Sequence, residues 1–170
     1  IWAAAPEKVL AARAGWAEAE PDISGRMIRA IWRAGRWLSS ADNAAVASEL
    51  LSGAGRLSIS SDLVERALTG RMVISPQGDE RQVPRFIEFH AAAASFPWRS
   101  QAAWIAVRLA QRHRLDPLAA VRAAKAVYRS DLHRLHLRGT GADLPGASEK
   151  LEGALQAPTP VASERGALIL

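Results

Sequence analysis

The spacing of its helix breakers constrains this chain more than any other feature. Pro21, Gly53, Gly55, Gly70, Pro84, Pro97, Pro117 and Gly139 interrupt it at short intervals. Proline lacks a backbone donor and glycine gives up backbone entropy, so both end helices more readily than they extend them. The segments between these breaks are helical in pattern but short. Short helices draw their stability from packing rather than propensity, so each needs another layer to lie against. The chain therefore reads as a mostly helical object with thin strand content, as if its sheet were missing.

"DISGRMIRAIWRAGRWLSS" sets Ile23, Met27, Ile31 and Leu38 near one face, with Arg26, Arg29, Arg33 and Arg36 largely elsewhere. That is a helical period, with Pro21 at an early helix position. A second helix is expected over about 43–52, capped by Asp42. "SSDLVERALTG" predicts a capped helix stopped by Gly70, and "RMVISPQGDERQVP" an irregular hairpin or long loop. "SQAAWIAVRLAQRH" predicts a helix capped by Ser100, "DPLAAVRAAKAVY" one started by Asp116-Pro117, and "RSDLHRLHLRG" a last short piece. "VLAAR" at 9–13 reads as a short strand. Domain organisation is one folded region over 1–139 and an irregular Gly/Pro/Ala-rich segment over 140–170.

Several function classes fall away on composition. With no cysteine among 170 residues, disulfides, thiol nucleophiles and cysteine metal sites are excluded. The net charge of +5 is carried mainly by scattered Arg residues, which read as a solvated surface rather than a nucleic-acid face; no direct nucleic-acid binding is expected. No apolar run reaches membrane length. The first residues show neither an initiator Met nor a signal-peptide pattern, and both ends read as cut from a larger protein.

No catalytic constellation emerges. Ser100 with His90 or His113 lacks a nucleophile-elbow context. His133 and His136 could share a metal across one helix turn, but no third ligand has suitable spacing, so no metal and no cofactor is expected. "GTGADLPG" is not followed by the Lys-Ser/Thr pair of a phosphate loop. Trp32, Trp37 and Trp104 lie in helical patterns and read as packing residues, while Trp98 in "FPWRS" reads as a wedge at a helix entry. Lys8, behind Pro6, is either solvent decoration or a point charge for a small anion.

The order of the motifs goes further. "PEKVL", "ALTGRM", "FIEFHAAAASFPWRSQAAW" and "KAVYRSDLHR" follow one another in a way that resembles the C-terminal part of the nitrate/bicarbonate substrate-binding family of ABC transporters and its nitrate-sensing regulatory relatives. The resemblance implies an α/β fold of the type II periplasmic-binding-protein kind, two lobes closing over a ligand, of which this chain supplies a mostly helical part. It implies a non-enzymatic role: binding of a small inorganic oxyanion, with nitrate first and nitrite or bicarbonate behind it. In the family's nitrate binders the Lys of "PEK" contacts the ligand, and that position here is Lys8. The implied partners are ABC permease subunits and the implied location the periplasm. The sensor alternative implies the cytoplasm and an RNA-binding antiterminator partner, and an enzyme on the same scaffold is a third reading. The family pattern is broken at Gln101, where His is frequent, and at "AQRHR", where the transport proteins carry an "RRWG"-like continuation.

Overall fold

The computed structural model describes residues 6–150. They form seven α-helices and one hairpin: α1 (Trp16–Ala19), α2 (Pro21–Leu38), α3 (Ala44–Ser52), α4 (Ser61–Thr69), β1 (Arg71–Val73), β2 (Glu80–Gln82), α5 (Arg99–His113), α6 (Pro117–Val127) and α7 (Ser130–Leu137). Single turns of 3-10 helix at Ala41–Asn43 and Ala91–Ala93 complete the order. The chain divides into two compact units, one holding the described residues up to Ile28 and from Phe96 onward, the other Arg29–Ser95, with the first division inside α2.

The second unit is built from α3 lying against α4 and from α4 leading into the hairpin. Ser60 caps α4, its side chain accepting the Leu63 N–H, and Gly70 ends it in the left-handed conformation at φ 73°. Only a residue without Cβ fits there, since an added Cβ would stand 2.3 Å from the Val83 carbonyl oxygen. The strands pair antiparallel with Met72 opposite Arg81. Gly35 plays a similar part in mid-helix: a Cβ would lie 2.9 Å from the Phe89 carbonyl oxygen, so the 89 backbone runs hard against α2. Trp32, one turn earlier, is buried and meets the His90 ring edge-on at 5.4 Å.

In the first unit α5 and α6 lie along each other. Ala102, Ala103, Ala106, Val107 and Ala110 form the buried stripe of α5, and small side chains there permit close backbone approach. Asp116 caps α6 by accepting the Leu118 and Ala119 N–H groups, with Pro117 in the first turn. Phe96, Leu137, Ser130 and His133 close the core beneath α7.

Four expectations need correction. Residues 9–13 are not a strand: 6–12 have no regular structure and no backbone hydrogen bond to a described residue. Asp42 does not cap α3; it lies in the 3-10 turn, and Asn43 takes the cap position without a side-chain bond. Ser100 is inside α5 rather than capping it. Trp37 is 40% exposed rather than packed. In α2 Ile23, Met27 and Ile31 are exposed, while Ser24 and Trp32 are buried. Residues 140–150 hold no helix or strand, and 151–170 lie outside the described residues.

Candidate functional site

Lys8 sits in the irregular segment ahead of α1, with its side chain 84% exposed and paired to the neighbouring Glu7 carboxylate. An exposed pair of adjacent residues contributes little to stability, so the ammonium is available to another anion. It has no second cation or fixed N–H donor beside it among the described contacts, and an anion site needs several such groups.

The "FPWRS" and "VYRSD" stretches meet around one short segment, residues 145–150. Arg134, on the second turn of α7, holds it. Its Nε donates to the Pro145 carbonyl at 2.7 Å, and its Nη2 donates to the Ala147 carbonyl at 2.7 Å and the Gly146 carbonyl at 3.1 Å. Both Nη atoms reach Ser148 Oγ at 3.1 Å, and the guanidinium lies over the Phe96 ring at 4.8 Å. A planar fork with five N–H groups suits this task, where a lysine ammonium could not. The Arg99 N–H donates to the Ser148 carbonyl at 2.9 Å, so this segment satisfies one of the open donors at the start of α5. The Lys150 N–H donates to Ser100 Oγ at 2.9 Å, and the Lys150 ammonium lies over the Trp98 ring at 5.3 Å. Trp98 itself meets Phe96 edge-on at 4.7 Å, at the entry to α5.

Arg129 and Asp131 form a second local network. Arg129 Nε and Nη2 donate to the Asp131 carboxylate and its Nη1 to Glu18. These hydrogen bonds hold both carboxyls below their ordinary values and push Arg129 above its own. The two motifs thus serve as struts: Ser100, Arg99 and Arg129 are engaged with backbone and carboxylate partners rather than facing a ligand.

The histidines do not assemble. Ser100 and His113 stand at opposite ends of α5, about 20 Å apart at the rise of an α-helix. His133 is buried against Phe96, ring centroids 5.2 Å apart. Burial, with the nearby Arg134 charge second, lowers its pKa to about 4. A ring held neutral inside the core is a packing element first. Among the described residues no group of three or more His, Cys, Asp or Glu side chains could hold a metal ion. No described helix is long and apolar enough to cross a membrane. Sequence reasoning missed Arg134 and Ser148, because the only signal for their pairing is spatial.

The helical units with their single hairpin have the fold of a type II periplasmic-binding-protein portion, and the comparison with solved structures shows it. The crystal structure of the periplasmic nitrate-binding protein NrtA from Synechocystis PCC 6803 superimposes with a TM-score of 0.74 over 81% of this chain and 37% of that one, at 17% identity. In sequence the chain is 27% identical over 105 residues to the nitrate/nitrite binding protein NrtA of Nostoc sp. (strain PCC 7120), covering 61% of this chain and 24% of the relative. Residues 1–52, which include Lys8, match the NMT1-like family. The chain therefore spans about a quarter of the curated relative's length and little over a third of the solved one. These relatives are solute-binding proteins.

Proposed function

We propose that this chain is part of a periplasmic solute-binding protein for a small oxyanion, nitrate first among the candidates, which presents its ligand to an ABC permease. The observation that carries the reading is the coincidence of two likenesses: a fold shared with a nitrate-binding protein and a sequence likeness to a nitrate/nitrite binding protein. Lys8 supports it as the cationic contact, because it stands in the "PEK" motif and, among the described residues, its ammonium is engaged only by an exposed neighbour.

The chemistry is binding without turnover. A planar, weakly hydrated anion is held by a point charge together with N–H donors, and these contacts strengthen when closure removes water. Donors beyond Lys8 come from the portion of the fold that this chain does not cover. Titration calorimetry with nitrate, nitrite and bicarbonate on the protein that includes this portion tests the reading. Lys8→Ala is expected to weaken nitrate binding about ten- to hundredfold, the scale of a charge-assisted hydrogen bond. Unchanged affinity would remove Lys8 from the site.

A further inference from the structure

Leu109, Leu115 and Leu118 stand at the corner where α5 turns into α6, and they are 49%, 58% and 48% exposed. The corner lies wholly within the unit that takes in Phe96 and the residues after it. Every residue from Gln111 to Asp116 is exposed, so no described element packs over the turn. Arg108, Arg112, Arg114 and Arg122 accompany the leucines along the chain, with Asp116 as the one acidic residue between them. That carboxylate is already taken up by the Leu118 and Ala119 N–H groups. None of the four arginines ion-pairs with a described residue. Arg108 and Arg112 are one turn apart on the same side of α5, and Arg122 stands one turn beyond Leu118 on α6.

Arg114 supplies a second observation. It ends α5 in the left-handed conformation, at φ 56°, with its N–H on the Ala110 carbonyl. Glycine is the usual residue at such a helix end, because a side chain there carries a steric cost. The chain nevertheless keeps a guanidinium at the apex of the turn. The helix dipole favours cations in the last turn of α5, which accounts for Arg112 and His113. It does not account for three exposed leucines, nor for Arg108 and Arg122, which lie outside that turn.

We propose that the α5–α6 corner is a docking surface for an anionic lipid membrane, with Leu115 and its neighbouring leucines entering the headgroup layer while Arg108, Arg112, Arg114 and Arg122 engage lipid phosphates. Charge complementarity selects an anionic partner, and the guanidinium fork matches phosphate oxygens. The shape of the corner selects a membrane over an acidic protein. An exposed turn with short apolar side chains at its tip and long cationic ones around it suits shallow insertion, apolar tips inward and charges at the phosphates. A protein interface draws its energy from aromatic anchors in a packed centre, and residues 108–122 contain no aromatic residue but His113. Such a contact holds the protein on the membrane surface without a spanning helix, and it does not rest on which solute is bound.

The test is co-sedimentation of this chain with vesicles of phosphatidylcholine, with and without phosphatidylglycerol. Binding is expected to the anionic vesicles and to be at least tenfold weaker to the neutral ones. Arg112→Gln/Arg114→Gln should weaken it at least tenfold, at about fivefold per arginine near an anionic surface. Leu115→Ser/Leu118→Ser should weaken it by about tenfold. Arg26→Gln/Arg33→Gln removes the same charge from exposed positions of α2 and should change it less than about threefold. An equal loss in that control shows diffuse attraction by the net charge and overturns the proposal. So does the absence of binding to phosphatidylglycerol vesicles, which leaves the corner to an acidic protein. Equal binding to neutral vesicles overturns it as well, since the arginines then do nothing. The lack of cysteine allows a placement measurement that needs no affinity. Leu115→Cys and Val127→Cys, both at exposed positions, are labelled with an environment-sensitive fluorophore. The emission of the label at 115 should shift to the blue on anionic vesicles while that at 127 does not; a shift at both or at neither overturns the proposal. Each variant should melt within about 2 °C of the parent, since the altered side chains are exposed, and where a double variant does not, the two labelled chains decide.

Discussion

Replacing Gly35 by alanine sets two opposing effects against each other. Gly35 is interior to α2, where alanine is favoured over glycine by about 0.8–1 kcal/mol in helix propensity. The added Cβ, however, would be placed 2.9 Å from the Phe89 carbonyl oxygen, 3.6 Å from its carbonyl carbon and 3.6 Å from its Cβ. The first of these atoms is backbone and cannot rotate aside. Relief requires the 89 segment to back away from α2, which also loosens the contact of the adjacent His90 with Trp32. Overpacking of this kind costs about 1–3 kcal/mol. The steric effect outweighs the propensity gain, and the net expectation is a loss of about 1 kcal/mol. For a chain of this length that lowers the thermal midpoint by about 2–4 °C. Circular dichroism melts of the parent and Gly35→Ala proteins, with urea titration as a second axis, measure it. A midpoint raised by 2 °C or more would refute the reasoning, because helix propensity would then act unopposed and the Phe89 backbone could not lie where it does.

Three further expectations follow from the same kind of bookkeeping. His133 has a folded pKa near 4 against an ordinary value of 6.5, so between those values the unfolded chain takes up the proton and the folded chain does not. Its stabilising contribution is complete above about pH 6.5 and is lost as the pH falls toward 4; discounted for incomplete burial it is on the order of 2 kcal/mol, and urea titrations at pH 4.5 and 7.5 should show a smaller pH effect in His133→Gln than in the parent. Arg134→Lys keeps the charge but not the fork, and should cost about 2–3 kcal/mol and speed amide exchange over 145–150, whereas unchanged exchange there would show that the segment is held by something else. Ala92 has φ 52° and is exposed, so Ala92→Gly should raise stability by about 0.5 kcal/mol, while Ala93→Gly, at φ 54° but buried, should not, since it also removes a buried methyl group.

The legible parts of the sequence were those decided by neighbouring residues. Pro21, Ser60, Gly70 and the Asp116-Pro117 pair mark helix ends through the local chemistry of donors and φ angles, and the helices begin or end there. The illegible parts depended on distant residues. Val9 to Arg13 has the composition of a strand, but a strand exists only when a second one pairs with it. Asp42 has the side chain of a cap, but the chain inserts a 3-10 turn before α3 and leaves it out of reach. The apolar period of α2 identified a helix but not the face it buries, which is set by the Phe89 backbone passing over Gly35. As for the candidate site, no spacing rule distinguishes Lys8 from an idle surface lysine; its reading as a ligand contact rests on the ordered motifs alone. The engagement of Arg134 with Ser148 has no sequence signature at all, since α7 and residues 145–150 converge only in three dimensions.

The central claim is that Lys8 belongs to a small-oxyanion site completed by the rest of the fold. Nitrate titration calorimetry on the protein that contains both, in parent and Lys8→Ala forms, tests it most directly. The account predicts saturable nitrate binding by the parent and an affinity lower by about ten- to hundredfold in the variant. Equal affinities in the two proteins, or no nitrate binding by the parent, would contradict it.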